Sequence, residues 1–106
     1  MTKSILIKNA TIVNENTTFK GDVLIENEII KKVDPSIMVT DVDALEIIEA
    51  QGSYLIPGFI DDQVHFREPG LTHKANISTE SRAAIAGGIT TFIEMPNTVP
   101  QATTQA

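Results

Sequence analysis

The chain has no cysteine in its 106 residues. That excludes a disulfide frame and a thiolate metal site, and it suits a reducing compartment. Positive charge is also scarce. Eight Lys and Arg stand against fourteen Asp and Glu, a net charge of −6. No basic stripe exists to neutralise phosphates, so nucleic acid is not an expected partner. No apolar stretch nears the roughly 20 residues of a membrane helix. The N-terminal run Ile5-Leu6-Ile7 is too short for the core of a signal peptide. These absences predict a soluble cytoplasmic protein that touches no membrane.

What remains is ordinary globular material. The hydrophobic share is 42% and the charged share 21%, enough to build a core and too balanced for disorder. The texture changes near residue 56. Before it, short runs of Ile, Val and Thr alternate with turn signals. Strands are predicted over Ser4–Val13 (interrupted near Asn9), Gly21–Ile25, Ile29–Val33, Leu45–Ala50 and Tyr54–Ile56. Asn14-Glu15-Asn16, Asp34-Pro35-Ser36 and Gln51-Gly52 read as breaks, and Glu26-Asn27-Glu28 as a hairpin tip. Close-spaced strands of this kind suggest a small β-sandwich or part of one.

From Pro57 the pattern becomes strand, loop, helix, strand. Phe59–Phe66 is the first strand. Asn76 or Ser78 caps a helix, with Glu80 near its positive end. Ile77, Ser81, Ala84 and Ile85 share a face suited to close packing on a sheet, and Gly87-Gly88 ends the helix. Ile89–Met95 is nearly continuous in apolar and β-branched residues, as strands covered on both faces are. Pro96–Pro100 forms a loop, and Thr103 or Thr104 could cap a further helix. One such unit cannot cover a parallel sheet, so the sequence reads as cut off.

The chemistry gathers at the two strand ends. Asp61, Gln63, His65 and Arg67 are spaced by two, which on a regular strand aims all four to one face. Glu68-Pro69-Gly70 then breaks the strand, while Asn97 and Thr98 follow the second strand. In parallel sheets both ends open on one side, where β/α folds place their sites. His65 offers an imidazole lone pair to zinc or a structural hydrogen bond. Gln63 is a poor zinc ligand or a strut. Asp61 ligates, or supports a ligand from behind. Arg67 holds a carboxylate or pairs with Glu68 or another surface acid. Asn97 meets a ligand or shapes a turn between prolines. Asp62 points to the opposite face, and His73 belongs to the loop.

Four segments carry a resemblance. Pro57-Gly58-Phe59-Ile60-Asp61, His65-Phe66-Arg67-Glu68-Pro69-Gly70, Ala83–Thr91 and Met95-Pro96-Asn97-Thr98-Val99-Pro100 together resemble the opening of a dihydroorotase of the amidohydrolase superfamily. Allantoinases and hydantoinases share the first and third, and the other two favour dihydroorotase. The resemblance implies an α/β protein in two parts. Residues 1–56 would be a portion of a β-sandwich, and residues 57–106 the first units of a truncated TIM-like (β/α)8 barrel. It implies a zinc-dependent hydrolase interconverting N-carbamoyl-aspartate and dihydroorotate in pyrimidine synthesis. His65 would be the second histidine of the family's metal pair, and Gln63 stands where the first is found. Arg67 and Asn97 would hold the substrate carboxylate. The catalytic acid-base residue and the other ligands would lie outside this sequence. The expected partners are a small-molecule substrate and, as an open alternative, further copies of the full-length protein. The competing readings are a hydantoin or allantoin amidase, and a non-catalytic scaffold subunit motivated by Gln63. On its own the 106-residue polypeptide is expected to be inactive and marginally folded.

Overall fold

Pairs of left-handed residues turn the N-terminal strands back on themselves. The computed structural model of the protein describes residues 3–40 and 44–104. Two compact units divide the chain, Met1–Pro57 and Gly58–Ala106. In the first, β1 (Ser4–Asn14) pairs antiparallel with β2 (Thr17–Glu26), which pairs antiparallel with β3 (Ile29–Asp34). The connecting residues Glu15, Asn16, Asn27 and Glu28 all have positive φ, from 48° to 69°. Two such residues in succession match the twist of antiparallel strands, which is why the tip at Asn27-Glu28 forms where the sequence puts it. β2 begins at Thr17 rather than Gly21, because Thr17 to Lys20 complete the ladder opposite Thr11 to Asn14.

β4 (Leu45–Glu49) and β5 (Tyr54–Leu55) both pair parallel to β1. The result is one mixed five-stranded sheet of order β3-β2-β1-β4, with β5 also on β1. A second sheet to complete a sandwich is not found among the described residues. Ala10, Ile12 and Val23 are buried at the centre, flanked by Ile7, Ile25, Ala50 and Leu55. Each large apolar side chain buried there contributes about 1.5–3 kcal/mol.

A carboxylate pins the irregular part of this sheet. The register of β1 shifts between Ile7 and Ala10, and Asn9 sits at φ 56°. Asp22, 2% exposed, accepts the Asn9 N–H on Oδ1 and the Ile37 N–H on Oδ2, both at 2.9 Å. The Ile37 amide, and after it the Asn9 amide, hold the Asp22 carboxyl below its usual range. Removing the carboxylate leaves two amides without an acceptor, so Asp22→Ala should cost about 3 kcal/mol in an equilibrium melt at pH 7. Because the folded pKa is depressed, the stabilisation is complete above the unfolded value near 3.8. It is lost as pH falls through the folded value. The acid sensitivity should therefore shrink in Asp22→Ala, and an unchanged pH slope would refute this account.

The second unit is a parallel β-α-β element. β6 (Phe59–Val64) pairs with β7 (Ile89–Glu94), and α1 (Ile77–Ala86) lies between them in sequence. Asn76 is the N-cap, its side chain accepting from the Thr79 N–H at 2.9 Å, with Glu80 in the first turn. Gly87 closes the helix, and Gly88, at φ 86°, leads into β7.

The expected packing is only partly made. No residue of α1 is buried, and Ile77 and Ile85 are 43% and 67% exposed. β7 likewise holds only exposed and half-buried residues instead of being covered on both faces. Two strands offer too little sheet to cover the apolar stripe, and an open pair is far short of the eight strands of a barrel. The chain after Pro100 is irregular through Thr104, and a helix capped by Thr103 or Thr104 would lie outside the described residues. Among the described residues no helix is long and apolar enough to cross a membrane.

Candidate active site at the ends of β6 and β7

Close backbone approach and a bulge set the geometry here. A Cβ on Gly58 would overlap the Thr90 side chain, so only glycine allows β6 to begin this near β7. Asp61 pairs with Phe92 and Val64 with Glu94, leaving β6 one residue longer than β7 between these pairs. Such a bulge bends its strand and re-aims side chains. Asp61 Oδ1 accepts the Gln63 N–H across it at 3.1 Å.

Strict alternation from Asp61 to Arg67 therefore fails. The bulge breaks the period, β6 ends at Val64 rather than Phe66, and Arg67 is left-handed at φ 68°. The part that survives lies beyond the bulge. Val64 and Phe66 are buried, whereas Gln63 and His65 are exposed. Phe66 anchors this arrangement against Phe92, ring centroids 4.5 Å apart.

His65 and Asn97 are brought together. His65 Nδ1 lies 3.1 Å from Asn97 Oδ1. A carbonyl oxygen only accepts, so this contact needs the proton on Nδ1, which in a neutral imidazole leaves the lone pair on Nε2. The turn residue between two prolines thus orients an imidazole from the neighbouring strand end.

Arg67 is half-buried, and the ion pairs among the described residues are Lys3–Glu46 and Lys32–Asp34. Its expected alternative partner, Glu68, is committed elsewhere. Glu68 Oε2 accepts the Ile77 N–H at 2.9 Å, at the positive end of α1. Arg67 thus keeps its donors. Its carbonyl accepts the Leu71 N–H at 3.0 Å, closing a turn over the Glu-Pro-Gly segment. His73 and Asp62 are exposed.

The two loops are joined at several points. Val64 O accepts the Met95 N–H and Pro69 O accepts the Val99 N–H, each at 3.0 Å. Gly70, at φ 86°, packs so closely that a Cβ would overlap the Val99 carbonyl oxygen. Thr98 is buried and donates to Pro100 O at 2.8 Å. Glu94 accepts the Phe66 N–H on Oε1 at 3.0 Å and on Oε2 at 2.8 Å. Glu94 was absent from the residues expected at the site. The available signal is a lone carboxylate closing a strand of apolar residues and threonine.

The donor set is incomplete for a metal. Among the described residues, no cluster of three His, Cys, Asp or Glu side chains could hold one. His65 Nε2 is a good ligand atom and the Gln63 amide a poor one, fewer than the three protein ligands of a catalytic zinc. These residues fit as part of a set that other residues would have to complete.

Residues 52–105 match the family described as dihydro-orotase-like. A dihydroorotase of Aquifex aeolicus is 45% identical over 98 residues, covering 91% of this chain and 22% of that protein. One from Carboxydothermus hydrogenoformans is 48% identical over 97 residues, covering 90% and 22%. In structure, the chain is similar to the L-hydantoinase (dihydropyrimidinase) of Arthrobacter aurescens, with TM-score 0.84 and 31% identity over 98% of this chain and 23% of that one. The D-hydantoinase (dihydropyrimidinase) of a Thermus species matches at TM-score 0.69 and 36% identity, covering 87% and 20%. The chain spans about a fifth of the length of these relatives. The family match takes in the whole cluster from Asp61 to Thr98, and the chain belongs to the dihydro-orotase-like family.

Proposed function

We propose that this chain is part of a zinc-dependent dihydroorotase, interconverting N-carbamoyl-L-aspartate and dihydroorotate in pyrimidine synthesis. The observation that carries the reading is the His65–Asn97 contact at 3.1 Å, with Arg67 two residues after His65 and free of any ion pair among the described residues. His65 would offer Nε2 to the metal while Asn97 Oδ1 holds Nδ1. Asn97 Nδ2 and the Arg67 guanidinium would donate to the substrate carboxylate. Gln63 would be at most a weak ligand, and Asp61 supports the bulge that carries it. Bound zinc supplies Lewis-acid polarisation of a ring carbonyl and a more acidic water. The remaining ligands and the proton-carrying acid would come from residues outside this chain, on a barrel that β6, α1 and β7 open. A cytoplasmic setting fits the absence of cysteine.

The test is metal analysis and turnover of the full-length protein. Zinc near stoichiometry with hydrolysis of dihydroorotate is the expected result. A second reading, a hydantoin or allantoin amidase, is favoured by the structural likeness to the Arthrobacter L-hydantoinase. Turnover of uncharged hydantoins alone would select it. A metal-free, inactive protein would instead support the scaffold reading that Gln63 motivates.

A further inference from the structure

We infer that Glu94 is a positioning residue that sets the guanidinium of Arg67. This rests on the proposed role of Arg67 in holding a substrate carboxylate. The Phe66 amide lies between His65 and Arg67, two residues beyond the last paired residue of β6. No ladder carbonyl reaches it. Both carboxylate oxygens of Glu94 take that N–H instead, at 3.0 and 2.8 Å. Charge-assisted bonds of this kind are roughly twice as strong as neutral ones.

The next residue explains why such a clamp matters. Arg67 is left-handed at φ 68°, a conformation disfavoured for a side chain with a Cβ. Its own carbonyl is held by the Leu71 N–H on the C-terminal side. On the N-terminal side the restraints are the Phe66 ring against Phe92 and the Phe66 amide on Glu94. The Phe66 N–H belongs to the His65–Phe66 peptide. Without Glu94 that peptide is no longer fixed, and the chain it leads into can let Arg67 relax toward the ordinary right-handed or extended regions. The guanidinium would then leave the position that faces a bound carboxylate. Glu94 is half-buried, and none of the ion pairs among the described residues involves it, so its recorded partner is this amide.

The experiment is a double-mutant cycle on the full-length protein, with dihydroorotate as substrate. Glu94→Leu removes the acceptors and keeps the bulk, and Glu94→Gln keeps one oxygen. Glu94→Leu should raise KM about tenfold, as expected for losing a charge-assisted bond, with kcat changed less. Glu94→Gln should recover most of the affinity. In an Arg67→Ala background Glu94→Leu should add almost nothing, whereas a general loss of structure would still lower kcat. Full additivity in the cycle would overturn the inference. If Arg67→Ala leaves KM unchanged, the proposed function fails instead, so the two failures are distinguishable. Hydrogen exchange at the Phe66 amide of the unsubstituted protein gives an answer without a variant. Slow exchange is expected, and exchange at the rate of an open loop would overturn the clamp.

Discussion

Replacing Gly70 by alanine should separate the loop that carries Arg67 from the loop that carries Asn97. Two effects add at this position. The backbone is at φ 86°, where a Cβ costs about 1–2 kcal/mol. That Cβ would also overlap the carbonyl oxygen of Val99, which is backbone and cannot rotate aside as a side chain could. Together they should cost about 3 kcal/mol locally, within the range for overpacked sites. The Val99 N–H, which donates to Pro69 O at 3.0 Å, reports directly on the junction. Its hydrogen exchange should accelerate about 100-fold in Gly70→Ala. Exchange at the Asn9 amide, held by Asp22 in the other unit, should stay as it was. Unaltered Val99 protection would show that the junction tolerates a Cβ, contrary to the geometry.

Arg67→Ala should have the larger effect on activity. If Arg67 meets a carboxylate through two donors, their loss should lower kcat/KM for dihydroorotate about 100- to 1,000-fold in the full-length protein. Arg67→Lys should recover less than about tenfold of this, since an ammonium is a point charge and cannot reproduce the planar fork. Uncharged hydantoin rings, if they are turned over, should lose little. Equal losses on charged and uncharged rings would count against carboxylate recognition by Arg67.

The candidate site was legible to different depths. His65 and Asn97 could be placed at two strand ends because strand, helix and strand with a Gly-Gly stop imply parallel pairing, and parallel strands end on one side. Their direct contact could not be read, since either side chain had another plausible partner. For Arg67, the sequence left open a pairing with the adjacent Glu68, and the structure gives that carboxylate to the Ile77 amide of α1. Period-two reasoning overreached at Asp61 and Gln63, because a bulge has no reliable sequence signal and shifts every side chain after it. The helix start, the break at Asn14-Glu15-Asn16 and the hairpin tip at Glu26-Asn27-Glu28 are legible in the sequence, since capping and left-handed turns depend on residues close in sequence.

Local chemistry in the sequence determined the strands, the helix with its Asn76 cap and Gly87 stop, and the absence of disulfides. Those features depend on neighbours within a few residues, where backbone propensity and hydrogen-bonding reach decide the outcome. Only the tertiary structure decided that β4 and β5 run parallel to β1. It alone joined Asn97 to His65 and Glu94 to Phe66, contacts that span about thirty residues of chain. Pairings of that kind are selected by competition among many possible partners, and the winner is fixed by packing and register rather than by either residue's own preference.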